Sequence, residues 1–74
     1  MKLKIPVILD DYYETADQDL RRKTIPQILG DCEYIIGEIA IGEWWDDYSS
    51  ADVAALKRFR TMLRKNPSAT VSYR

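Results

Sequence analysis

The sequence predicts a small single α+β domain over residues 1–74. The expected order is β-α-α-α-β, with the terminal strands paired and the helices on one face. Three observations predict this. Both ends alternate apolar and polar residues, as half-buried strands do. Two internal stretches repeat apolar residues at helical spacing. Each of those stretches opens on the pattern of a capping box. The length allows one core only: a chain this short buries just about 60% of its unfolded surface, so every apolar stripe is needed.

In residues 2–9, KLKIPVIL, Leu3, Ile5, Val7 and Leu9 share a face and predict the first strand. Pro6 has no N–H to donate, so one side of that strand should lie outside the ladder. Residues 11–23 read as a first, weaker helix with a narrow apolar face of Tyr12, Tyr13, Ala16 and Leu20. Asp17–Arg21 and Asp19–Lys23 are spaced as i,i+4 ion pairs on it.

Thr24 and Gln27 match a capping box, and Pro26 suits a first turn. From there Ile25, Ile28, Leu29, Cys32, Ile35, Ile36, Ile39 and Ala40 fall within an arc of about 140° at about 100° per residue, which predicts a second helix ending near Gly42. Gly30 and Gly37 sit on its polar side. Either a neighbour packs closely there or the segment is less helical than its pattern. A second arrangement makes Ile35–Trp45 a strand, giving a three-stranded antiparallel sheet followed by the C-terminal helix.

Ser49 and Asp52 match another capping box, and Asn66-Pro67 is a helix stop. Between them Ala55, Leu56, Phe59, Met62 and Leu63 form an apolar stripe. Lys57, Arg58, Arg60, Arg64 and Lys65 occupy the opposite side. Residues 68–74 alternate again, with Ala69, Val71 and Tyr73 on one face, and predict the last strand.

Charge is divided along the chain. Residues 1–56 carry five cations against twelve acids, whereas residues 57–74 carry six cations and no acid. The acidic part either lies beside the basic helix or leaves the surface polarised. Histidine is absent, and the single Cys32 falls on an apolar stripe with no base to activate it. No Gly-rich phosphate loop or zinc spacing occurs, and the clustered carboxylates Asp10-Asp11 and Glu43/Asp46/Asp47 match no cation-binding loop. An enzyme, a metal site and a cofactor are therefore not expected. No apolar run reaches the length of a membrane span, and a lone cysteine suits a reducing cytoplasm.

These exclusions leave a protein-binding module, of the inhibitor or regulatory-subunit kind, that occupies a surface of a larger partner. Its expected contact is Glu43, Trp44, Trp45, Asp46, Asp47 and Tyr48. Tryptophan and tyrosine dominate interface hot spots, and an acidic rim selects a basic partner, as a mimic of nucleic-acid charge would. The second reading is a small nucleic-acid-binding regulator using Lys57, Arg58, Arg60, Arg64 and Lys65. Free strand edges add an expectation of homodimerisation.

Overall fold

The computed structural model describes residues 2–42 and 48–72. Strand β1 (Lys2–Lys4) is followed by helix α1 (Val7–Thr15), a single 3-10 turn (Leu20–Arg22), helices α2 (Ile25–Ala40) and α3 (Ser50–Lys65), and strand β2 (Thr70–Ser72). The domain is mixed α+β and mostly helical. Among the described residues, no helix is long and apolar enough to cross a membrane.

The first third of the chain corrects the sequence reading. The strand stops at Lys4, and a helix begins at Val7 rather than Asp11. Pro6 stands at the boundary in extended geometry (φ −72°, ψ 156°), and its carbonyl accepts the first helical bond from Asp10 N–H at 3.0 Å. Lacking an N–H costs Pro6 nothing there, because the first turn of a helix leaves its donors free anyway. Ile5, Ile8, Leu9 and Tyr13 are buried, at spacings of one helical turn.

α1 ends at Thr15, and Asp17 turns the chain at φ 55°. Aspartate tolerates this left-handed geometry better than most side chains. Ala16, expected on the apolar face, is exposed. Neither i,i+4 pair forms as anticipated. Arg21 pairs with Asp19, which also caps the 3-10 turn, and Lys23 reaches Asp31 on α2.

α2 and α3 follow their local chemistry. Thr24 Oγ1 accepts from Gln27 N–H while the Gln27 side chain accepts from Thr24 N–H. Ser49 and Asp52 repeat the arrangement at α3. Each box satisfies two donors that the helix start would otherwise leave open. Gly42, at φ 75°, turns the chain out of α2 as a C′ residue. Because α2 is helical through Ala40, the alternative strand at Ile35–Trp45 does not form in residues 35–40, and the described sheet has two strands.

β1 and β2 pair in parallel, Lys2 with Thr70, Leu3 with Val71 and Lys4 with Ser72. Parallel neighbours require a long crossover, and here all three helices form it. The helices enclose one core, with Ile5, Ile8, Leu9 and Tyr13 from the N-terminal part, Leu20, Ile28, Cys32 and Ile35 from the middle, and Leu56, Phe59, Leu63 and Ala69 from the C-terminal part. α3 contacts both α1 and α2.

Gly30 and Gly37 neither interrupt α2 nor receive a close neighbour from the described part of the domain. The helix is continuous through both, and a Cβ at either would meet nothing within 4 Å. Gly30→Ala and Gly37→Ala should therefore each raise stability, by about 0.5–1 kcal/mol in urea unfolding. Destabilisation by either would overturn this.

Candidate functional site

Of the acidic-aromatic segment, Glu43, Trp44, Trp45, Asp46 and Asp47 lie outside the described residues. Its last member, Tyr48, and the residues that lead into the segment, Ile41 and Gly42, are described. Ile41, just beyond α2, is 71% exposed, the most exposed large apolar side chain described. Tyr48 is half-buried against the core, and its hydroxyl donates to Asp11 Oδ2 on α1 at 2.7 Å. That bond joins residues 37 apart in sequence and fastens the chain just before α3.

The basic side of α3 splits in two. Arg64 Nη2 donates to Glu33 Oε1 of α2 at 2.9 Å, and Arg60 Nη1 lies 3.3 Å from the same oxygen. One acid thus holds two of the five cations and ties α3 to α2. Arg60 is the more enclosed of the pair, and its Nε is buried with no hydrogen-bond partner among the described residues. Lys57, Arg58 and Lys65 are exposed and form no ion pair among the described residues. The charge division is therefore satisfied internally at Glu33 and left open along the rest of α3.

Met62 departs from its expected place. Assigned to the apolar stripe, it is 37% exposed. The buried stripe of α3 is Leu56, Phe59 and Leu63, at spacings of three and four residues. Met62 lies at its rim, beside Arg58 and Thr61. These three and Lys57 line a shallow open groove of about 280 Å³. The walls are the i,i+4 rows 57–61 and 58–62, whose lysine and arginine stems offer apolar surface below their charges. Thr61 Oγ1 donates to the Lys57 carbonyl at 3.1 Å, so its hydroxyl proton is already engaged.

A second cavity, of about 220 Å³, lies between the 3-10 turn, the start of α2 and β2. Its cations are occupied, Arg21 by Asp19 and Lys23 by Asp31. Lys23 also sits 5.0 Å from the centre of the Tyr13 ring, and the Tyr13 hydroxyl donates to the same Asp31 oxygen at 2.9 Å. Burial, reinforced by this hydrogen bond to a carboxylate, pushes the Tyr13 hydroxyl far above its ordinary pKa. Burial likewise raises the Cys32 thiol to about 12, helped by Asp31 and Glu33 on either side of it. A thiol held protonated in the core is a poor nucleophile.

Among the described residues, no group of three or more cysteine, aspartate or glutamate side chains could hold a metal. No family model, curated protein or solved structure matches the chain. The sequence reading did not single out Glu33, Asp31 and Asp11 as points of attachment. Asp31 and Glu33 were visible only as acids on a polar helix face and Asp11 only as one of two adjacent carboxylates, because each partner comes from a distant element.

Proposed function

We propose that this domain is a protein-binding module that occupies a surface of a larger, basic partner, in the manner of an inhibitor or regulatory subunit. Glu43, Trp44, Trp45, Asp46, Asp47 and Tyr48 form its contact. The observation that carries this reading is Ile41, 71% exposed at the border of a segment that holds both tryptophans of the chain. An exposed isoleucine followed in sequence by two tryptophans and three acids has the composition of an interface centre with a charged rim. The Tyr48–Asp11 bond supports it further, because it holds Tyr48, one member of the contact, in place before binding.

The test is capture of the partner from a lysate of the source organism. The variant is Trp44→Ala/Trp45→Ala/Asp46→Asn/Asp47→Asn, with Tyr48 retained because its hydroxyl fastens the chain. Hot-spot tryptophans are worth about 2 kcal/mol or more each, so affinity should fall at least about a hundredfold. Circular dichroism and melting temperature should match the parent. Capture undiminished in a folded variant would overturn the reading.

A further inference from the structure

We propose that the exposed side of α3 is a second docking surface, which takes an acidic amphipathic segment of a partner protein. An apolar side chain of that segment enters the groove beside Met62, and its carboxylates meet Lys57, Arg58 and Lys65. This proposal does not rest on the role proposed for residues 43–48.

Three observations lead here. The groove walled by Lys57, Arg58, Thr61 and Met62 has a largely apolar lining, and Met62 remains 37% exposed in it. Methionine suits such a place because its flexible thioether adapts to varied partners. The cations around it have no ion pair among the described residues, whereas Arg60 and Arg64, on the flank towards α2, are held by Glu33. The domain has thus neutralised the cations facing its own acidic helix and left those beside the apolar floor available.

Charge and polarity together select the occupant. A small molecule is disfavoured, since pockets that enclose one usually run to about 300–1,000 Å³ and are more closed. A nucleic acid would find cations but little else. Thr61, the one uncharged polar side chain lining the groove among the described residues, is bonded to its own helix, and an apolar floor gives phosphates nothing. A peptide carrying both leucine or phenylalanine and carboxylates satisfies the floor and the rim at once.

Fluorescence anisotropy of the full chain tests this with three labelled probes: a helical peptide with leucines at i,i+4 among glutamates, the same peptide with those leucines replaced by serine, and a short DNA duplex. At about 0.1 M salt, where distant charges are screened, the leucine peptide should bind most tightly of the three. Met62→Gln should weaken it about fivefold, the loss expected for part of a buried methionine. Lys57→Glu/Arg58→Glu should weaken it about tenfold or more. Both variants change exposed side chains and should melt with the parent. No peptide binding, or binding indifferent to both variants, would overturn the proposal. So would tighter binding of the duplex, which would mark a nucleic-acid surface. Light scattering that shows self-association abolished by the charge reversal would also overturn it, because the occupant would then be a second copy.

Discussion

Leu56→Ala should bring this domain close to unfolding at room temperature. Leu56 is fully buried, on the helix that contacts both of the others, and opens the Leu56–Phe59–Leu63 stripe. Truncating such a leucine removes its transfer free energy and leaves a cavity that neighbouring helices fill only in part. The usual cost is about 2–5 kcal/mol. A domain of this length has a total stability of only about 4–11 kcal/mol at typical values per residue. The loss therefore ranges from about a fifth of the whole to all of it, and the urea midpoint followed by circular dichroism should fall by more than about 1 M. Met62→Ala, at the rim of the same helix, should cost under about 1 kcal/mol, because its side chain is partly in water already. Equal costs at the two positions would mean that α3 does not present Leu56 to the core.

The contrast between these two residues shows how far the sequence could be read. An arc drawn on a helical wheel gathers Ala55, Leu56, Phe59, Met62 and Leu63 on one side, but only Leu56, Phe59 and Leu63, towards one end of the arc, are buried. Where the arc ends depends on how closely α1 and α2 approach, and that is not local information. What is local was legible. The Thr24/Gln27 and Ser49/Asp52 boxes mark two helix starts because the bonding groups lie within one turn of each other. The first 23 residues were less legible for a physical reason. The run LKIPVILDDYY satisfies a period of two through Leu3, Ile5, Val7 and Leu9, and a helical period through Ile5, Ile8, Leu9, Tyr12 and Tyr13. Pro6 is equally at home at a sheet edge and at a helix start. The folded core chooses the second. Pairing is subject to the same limit. Lys23 lies four residues from Asp19 yet bonds Asp31, because the 3-10 turn breaks the helical register that would have joined the first pair. Alternation at both ends predicts two strands but says nothing of their relative direction. The convergence of Arg60 and Arg64 on Glu33 requires the alignment of α2 with α3, which no local pattern encodes.

Asp31→Ala should be the most damaging substitution of a polar side chain, at about 2 kcal/mol, because it strips two partners at once. Asp31 Oδ2 accepts from the Tyr13 hydroxyl at 2.9 Å and lies 3.0 Å from Lys23 Nζ, and both the lysine and the aspartate are largely enclosed. Without the carboxylate, the Tyr13 hydroxyl is left inside without its acceptor, and Lys23 stands over the ring unpaired. Tyr13→Phe should cost only about 1 kcal/mol, since Asp31 then keeps its lysine. The double variant should be more stable than the two losses summed, because removing both bonding groups leaves less unsatisfied. Strict additivity in that cycle would show that Tyr13 and Asp31 are not coupled. The same cluster sets the alkaline limit. Burial favours the protonated forms of Tyr13 and Cys32, so the fold holds those protons while the unfolded chain releases them above its ordinary values of 9.0 for the cysteine and 10.0 for the tyrosine. Their contribution is fully present below pH 9. It falls as pH rises, by up to about 1.4 kcal/mol per pH unit for each group, with the cysteine lost first and the tyrosine adding to the slope. Cys32→Ala should flatten the first part of that decline and Tyr13→Phe the second. Asp31→Ala should be weaker at every pH yet keep most of the slope, because burial is the larger cause of both shifts. A stability curve that stays level from pH 8 to pH 11 would show that neither side chain is sealed in the core.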